Sequence, residues 1–140
     1  MPETDIQPTV SLAVLLATYN GEKYLPELLD SVLPQLPPGG FILAHDDGST
    51  DATAAVLNLY AAKFPALKVL VDGVKTGGAK TNFGYLLNKT DADYIMLCDQ
   101  DDIWLPGKID TALDAMRELE AQHGTDKPLL VHTDLKVADK

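Results

Sequence analysis

Apolar positions in this chain form short continuous runs, separated by stretches in which apolar residues recur with helical spacing. Runs of this length, bounded by polar turns, predict buried strands. They cover residues 10–17, 41–44, 67–71, 94–98 and 129–132. Between the runs the spacing i, i+3, i+4, i+7 predicts amphipathic helices, as at Leu25, Leu28, Leu29 and Val32. The alternation β-α-β-α-β-α-β-α-β predicts a three-layer α/β fold, with a mainly parallel sheet between two layers of helices.

Polar clusters follow the first, second and fourth predicted strands. They cover residues 18–20, 46–49 and 99–102. Parallel strands bring their carboxyl ends to one edge of the sheet, and this is the edge at which open α/β sheets bind ligands. A solvated acidic turn would explain any one of these clusters. Three clusters at the same edge favour a shared binding site.

The fourth predicted strand ends in three carboxylates, Asp99, Asp101 and Asp102, within four positions. Like charges at this spacing repel one another unless a cation lies among them. Hard divalent cations such as Mg²⁺ and Mn²⁺ prefer oxygen ligands, and Mg²⁺ is usually held by one or two carboxylates together with substrate phosphates. This acidic turn (residues 99–102) therefore predicts a metal site beside a phosphate-containing ligand.

The charge balance narrows the class of ligand further. The 140 residues include 21 acidic and 11 basic side chains, giving a formal net charge of −10. Nucleic acids and anionic membrane surfaces both require a basic surface, so neither is an expected partner.

No P-loop sequence occurs, and no G-x-G-x-x-G follows the first strand. The loop at residues 77–80 is either a flexible connection or a diphosphate contact made by its backbone and Lys80.

The chain is expected to form one soluble domain in the cytoplasm. Residues 1–9 form a polar tail, unlike the basic start of a secretory signal, and residues 10–140 form the domain. No apolar run approaches the roughly 20 residues of a membrane-spanning helix. Peripheral attachment at the inner face of the membrane is an alternative location. Cys98 is the single cysteine and is interpreted as a core residue.

Three sequence motifs carry a resemblance to a known family. They are A-T-Y-N-G at residues 17–21, D-D-G-S-T-D at 46–51 and D-Q-D-D-I-W-L-P at 99–106. In this order and spacing the chain resembles the family 2 glycosyltransferases of the GT-A fold, and the last motif is most similar to rhamnosyltransferase-like members. The resemblance implies inverting transfer from a UDP- or dTDP-sugar with Mg²⁺ or Mn²⁺, in polysaccharide or lipopolysaccharide O-antigen assembly.

The resemblance also implies roles for individual residues. Those expected to bind the nucleotide are Thr18, Tyr19, Asn20, Asp47, Lys80 and Asp101. Asp47 would accept a hydrogen bond from the N3–H of uracil or thymine. Asp102 would hold the metal with Asp101, and Asp99 would lie behind them. His45 stands where a small or apolar residue is more usual, and is either a satisfied strand-end histidine or a phosphate contact.

Family members continue well past the fifth strand, and their second part carries the acceptor site and the catalytic base. The chain is therefore expected to be the nucleotide-sugar-binding part, with its base beyond Lys140 and Asp134 as a weak internal candidate. Its expected partners are a nucleotide-diphospho-sugar and a saccharide or lipid-linked acceptor, and a homodimer is a further candidate. A nucleotide-binding module without turnover is the main alternative. A phosphoacceptor receiver domain fits poorly, because the first strand does not end in acids.

Overall fold

The sheet contains four parallel strands in the part of the chain that the computed structural model describes, residues 9–133. The strands are β1 (Leu12–Thr18), β2 (Phe41–Asp46), β3 (Leu67–Leu70) and β4 (Tyr94–Asp99). Their order across the sheet is β3-β2-β1-β4. The strand order therefore reverses beside β1, which creates a crevice at the carboxyl ends of β1 and its neighbours.

Three helices connect these strands: α1 (Leu25–Val32), α2 (Thr53–Lys63) and α3 (Ala79–Leu87). Pro34 lies in a 3₁₀ turn, Leu33–Gln35, that follows α1, because proline cannot supply the N–H that would continue the helix. The four residues of α1 with helical apolar spacing are all buried, as the periodicity predicts. The α/β fold with a parallel sheet is confirmed.

Strand β1 is central, and all seven of its residues are buried. On one face Ala13, Leu15 and Ala17 pack with Leu43 of β2 and Leu86 of α3. Alternate residues of a strand point to opposite faces, so the equally buried Leu12, Val14 and Leu16 lie on the other face. Burial on both faces explains why this segment is a continuous apolar run and not an alternating one.

A second compact unit begins after Trp104. Its helix α4 (Lys108–His123) follows Gly107, whose φ of +86° suits glycine, and ends at Gly124, whose φ is +83°. Ile109 and Leu113 are the buried residues of this helix. No helix among residues 9–133 has the length and apolar character needed to cross a bilayer.

The predicted fifth strand at residues 129–132 is wrong, because these residues are not a strand in the structure. Leu130 is 82% exposed, as a residue in a buried strand would not be. A short apolar run cannot identify its own structure, since a strand forms only where a neighbouring strand completes its hydrogen bonds. Asp134, the internal candidate for a catalytic base, lies outside the described residues.

Candidate functional site

A cleft of about 650 Å³ opens at the carboxyl edge of the sheet. Its volume is in the range of small-molecule sites. The loops after β1, β2 and β4 form its walls together with the segment that leads into α3. Of the residues predicted to form the site, the cleft is lined by Thr18, Tyr19, Asp47, Asp99 and Asp101. Asn20, Lys80 and Asp102 are not among its lining residues.

Asn20 ties the loop after β1 to the loop after β2. Its φ is +49°, a left-handed conformation that asparagine tolerates better than most residues. Its backbone N–H donates to Ser49 Oγ at 2.8 Å, and its Oδ1 accepts from the N–H of Thr50 at 2.8 Å. Asn20 therefore holds two walls of the cleft together.

Gln100, which follows β4, fixes the backbone of Tyr19, which follows the neighbouring strand β1. Its Oε1 accepts from the Tyr19 N–H, and its Nε2 donates to the Tyr19 carbonyl, both at 2.8 Å. A Cβ at Gly21 would lie 2.3 Å from Gln100 Oε1, so a side chain there would displace the Gln100 amide from Tyr19. The Tyr19 side chain remains 53% exposed at the rim. Gln100 is not among the predicted site residues, because nothing local in the sequence indicates that its amide pairs with a loop 81 residues away.

Two adjacent aspartates at the end of β2 serve different neighbours. Asp46 accepts from Thr18 Oγ1 at 2.8 Å and from the Ser49 N–H at 2.9 Å, so it closes the turn and binds β1 to β2. Asp47 lies next to the cleft. Strand β2 is longer than the predicted 41–44, because its pairing with β1 continues through Asp46.

Asp47 is saturated by donors from the segment before α3. Thr76 donates to Oδ1 through its backbone N–H and through its hydroxyl, the latter at 3.0 Å. The N–H groups of Gly77 and Gly78 donate to Oδ2, each at 3.0 Å. Burial by itself would raise the pKa of the Asp47 carboxyl, but these hydrogen bonds outweigh it and the net pKa lies below the ordinary value. Asp47 is therefore a charged anchor for this segment.

Lys75 is the basic residue that lines the cleft. Its side chain crosses Gly48, where an added Cβ would lie 2.8 Å from Lys75 Cε and where φ is +88°. Gly77 and Gly78 also line the cleft, whereas Lys80, in the first turn of α3, does not. The prediction named Lys80, which follows the glycine pair. The lysine that lines the cleft is Lys75, which precedes the pair.

The carboxylates of the acidic turn form no ion pair with a basic side chain among residues 9–133, so their negative charge is not neutralised there. Burial raises the pKa of Asp99, and the charges of Asp102 and Asp101 raise it further. Within the same residues, no three acidic, histidine or cysteine side chains are grouped as a metal site. These oxygen donors suit Mg²⁺ or Mn²⁺, but phosphate oxygens from a ligand would be needed to complete the coordination.

His45 is a buried strand-end residue with both ring nitrogens partnered. It is 1% exposed and does not line the cleft. Its Nδ1 lies 2.6 Å from Asn82 Oδ1, and its Nε2 lies 3.1 Å from Asp72 Oδ1. The structure therefore agrees with the first alternative for His45, a satisfied histidine.

Asp72 is expected to make stability depend on pH in the acid range. Hydrogen bonds from the Tyr85 hydroxyl, the Val74 N–H and His45 lower the pKa of Asp72 from 3.8 to about 2. A lowered folded-state pKa gives stabilisation that is fully present above the unfolded value and is lost as the pH falls through about 2. Asp72→Asn should lower the free energy of unfolding at neutral pH and flatten its decline in acid. Urea unfolding from about pH 5 to about pH 2 measures the free energy of unfolding of both proteins. Exposed Asp91→Asn is the control. A decline in acid that is the same in Asp72→Asn as in the wild type would contradict the prediction.

The chain is similar in sequence and in structure to known proteins. A profile described as "Glycosyl transferase family 2" matches residues 13–125. The dTDP-rhamnosyl transferase RfbG of Shigella flexneri is 38% identical over 105 residues, which are 72% of this chain and 36% of RfbG. The crystal structure of S. aureus TarS 1-349 has a TM-score of 0.67 and 29% identity, covering 76% of this chain and 32% of that one.

The same S. aureus protein has been solved with UDP-GlcNAc, with a TM-score of 0.66 and 30% identity over 76% of this chain and 31% of that one. The chain thus spans about a third of the length of RfbG and of TarS 1-349.

Proposed function

Because the chain belongs to glycosyl transferase family 2, we propose that the cleft at the carboxyl edge of its sheet binds a nucleotide-diphospho-sugar donor. The observation that carries this proposal is the meeting of Thr18, Tyr19, Asp47 and Asp101 around one cavity large enough for a nucleotide. The S. aureus relative was solved with UDP-GlcNAc. A UDP- or dTDP-sugar is therefore the proposed donor.

The walls of the cleft suggest how the donor would lie. The exposed ring of Tyr19 offers a surface on which a base can stack, and its backbone is fixed by Gln100. Asp47 offers a carboxylate to the base N3–H, and an incoming N3–H would have to share it with the donors of Thr76, Gly77 and Gly78. Lys75 gives the diphosphate a positive partner in the same cleft as Asp99 and Asp101 of the acidic turn.

Asp101 and Asp102 are the residues proposed to hold Mg²⁺ or Mn²⁺ together with the donor phosphates. Such an ion would neutralise charge that develops on the leaving diphosphate. Asp99 lines the cleft at the end of β4 and has a raised pKa, so we assign it a supporting role beside these two residues. The site is thus acidic where the ion would lie and basic at Lys75.

Transfer itself is proposed to be inverting, to a saccharide or lipid-linked acceptor in polysaccharide or lipopolysaccharide assembly. It would need a base within hydrogen-bond reach of the acceptor hydroxyl. No residue lining the described cleft is assigned that role, and Asp134 is outside the described residues. A nucleotide-binding module without turnover therefore stands as the second candidate. Release of nucleotide from several UDP- and dTDP-sugars would distinguish the transferase from the binding module, since sustained release excludes a module without turnover.

Calorimetric titration of the chain with UDP and dTDP, with and without Mn²⁺, tests the proposal. We expect saturable binding that Mn²⁺ tightens at least about tenfold, or about 1.4 kcal/mol. ADP is the matched control, because adenine has no N3–H to donate to Asp47. Equal affinity for ADP and UDP, or no effect of Mn²⁺ on either, would contradict the proposed site.

A further inference from the structure

One face of the end of β2 anchors the cleft loop, defined as residues 72–82. His45 and Asp47 lie two positions apart on this strand end, and residues at that spacing share a face. His45 contacts Asp72 at the beginning of the loop and Asn82 near its end. Asp47 accepts the hydrogen bonds of the middle of the loop. The loop is therefore held at three points by two side chains of one strand end.

The contacts of His45 place an acceptor atom beside each ring nitrogen. Asn82 Nδ2 donates to the His45 carbonyl at 2.9 Å, so the other amide atom, Oδ1, is the one that faces Nδ1. Asp72 presents a carboxylate to Nε2, and it also accepts from the Tyr85 hydroxyl. Both partners are acceptors, so the imidazole ring serves the loop as a hydrogen-bond donor. Among described residues, Asp72 and Tyr85 are the titratable groups in contact with the ring.

His45 is buried and does not line the cleft, but its contacts connect it to the cleft wall. Asn82 is 1% exposed, and it lines the cleft while its amide is held on both sides by His45. Between the two ends tied to His45 lie Lys75, Gly77 and Gly78, which form one wall. Gly77 has a φ of +89° and open space around its Cβ position, so packing at this point does not hold the loop in place. Its conformation depends on its anchors.

We infer that His45 is a positioning residue for donor binding, acting through Asp72 and Asn82 to keep the cleft loop in its binding conformation. This inference rests on the proposed function, since it assumes that the cleft binds a nucleotide. A loop that loses its side-chain contacts with residue 45 samples other conformations, and the apparent affinity falls in proportion to the fraction that remains competent. If about a tenth of the molecules stay competent, nucleotide binding weakens about tenfold.

The test compares His45→Phe with Tyr85→Phe. Phenylalanine fills the space of the imidazole but donates no hydrogen bond, so it removes both side-chain contacts with the loop and leaves only the bond from Asn82 Nδ2 to the backbone carbonyl of residue 45. Tyr85→Phe removes a different hydrogen bond to the same Asp72 and leaves His45 in place. Two quantities are measured for each variant of the whole chain: UDP affinity by calorimetry, and amide hydrogen exchange at Thr76, Gly77 and Gly78 relative to the amides of β1.

For His45→Phe we expect the exchange ratio to rise about tenfold and UDP affinity to fall about tenfold. Tyr85→Phe should change both less than about threefold. His45→Gln, which can donate to one of the two acceptors, should lie between wild type and His45→Phe. If His45→Phe does not fold, Asp72→Ser frees one end of the loop at a partly exposed position and, like His45→Gln, should change both quantities by more than Tyr85→Phe does.

Faster exchange at all amides in proportion, with the loop-to-β1 ratio and UDP affinity unchanged, would overturn the inference and make His45 an ordinary core residue. Failure of the proposed function is distinguishable from this result. In that case the wild type would bind no UDP, while the exchange ratio of the loop would still decide whether His45 holds it.

Discussion

Asp47→Ala is expected to weaken UDP binding about 100-fold, or about 2.7 kcal/mol. The carboxylate accepts hydrogen bonds from Thr76, Gly77 and Gly78, so its removal frees the middle of the cleft loop. The same change removes the proposed acceptor for the base N3–H. A hydrogen bond to a charged group contributes about 1.5–3 kcal/mol, so the loss of one or two such bonds accounts for the expected effect.

Titration with CDP separates the two roles of Asp47, because cytosine has no N3–H. We expect CDP affinity to fall about tenfold from loosening of the loop, and UDP affinity to fall about tenfold more. Exposed Asp91→Ala is the control for loss of one negative charge. An unchanged CDP affinity would show that anchoring of the loop does not matter for binding. Equal losses for UDP and CDP would show that Asp47 does not recognise the base.

Asp102→Asn is expected to abolish the tightening of UDP binding by Mn²⁺, a loss of at least about tenfold in affinity at saturating metal. The amide has nearly the same shape as the carboxylate but is a weak ligand for a hard cation and carries no charge. Binding of UDP without metal should be unchanged or slightly tighter, because one negative charge near the diphosphate is gone. Calorimetry with and without Mn²⁺ measures both quantities.

Asp101→Asn and Asp110→Asn complete this experiment. Asp101 lines the cleft whereas Asp102 does not, so Asp101→Asn should also lower the effect of the metal. Asp110 lies in the first turn of α4, outside the acidic turn, and its replacement should leave the effect intact. If Asp102→Asn responds to Mn²⁺ like the wild type while Asp101→Asn does not, the assignment of Asp102 to the metal is wrong.

Sequence patterns predicted the described elements of the fold well, with informative exceptions. Hydrophobicity alone was enough to predict strand β1 and helix α1. The continuous apolar run of β1 and the apolar stripe of α1 both reflect burial of those residues. The run at residues 129–132 failed, because three apolar residues cannot determine whether a neighbouring strand is available to them. The last residues of β2 were missed because they are polar, and only their register with β1 makes them a strand.

The sequence predicted the edge of the sheet at which the cleft opens, but not the contacts within the cleft. The placing of polar clusters at strand ends was enough to locate the cleft, because parallel strands have a common direction. It did not reveal that Asn20 braces two loops, that Lys75 lines the cleft in place of Lys80, or that Gln100 holds Tyr19. These contacts join residues far apart in the chain, and no local pattern encodes them.

What the sequence alone determined is the α/β alternation, the central buried strand, the edge at which the polar clusters meet and the resemblance to family 2. All of these depend on local periodicity or on order along the chain. Only the tertiary structure decided that Asp47 is saturated by loop amides and that His45 holds both ends of the cleft loop. Hydrogen bonds depend on distances of a few tenths of an ångström and on the direction of each donor, and the packed fold alone sets these quantities.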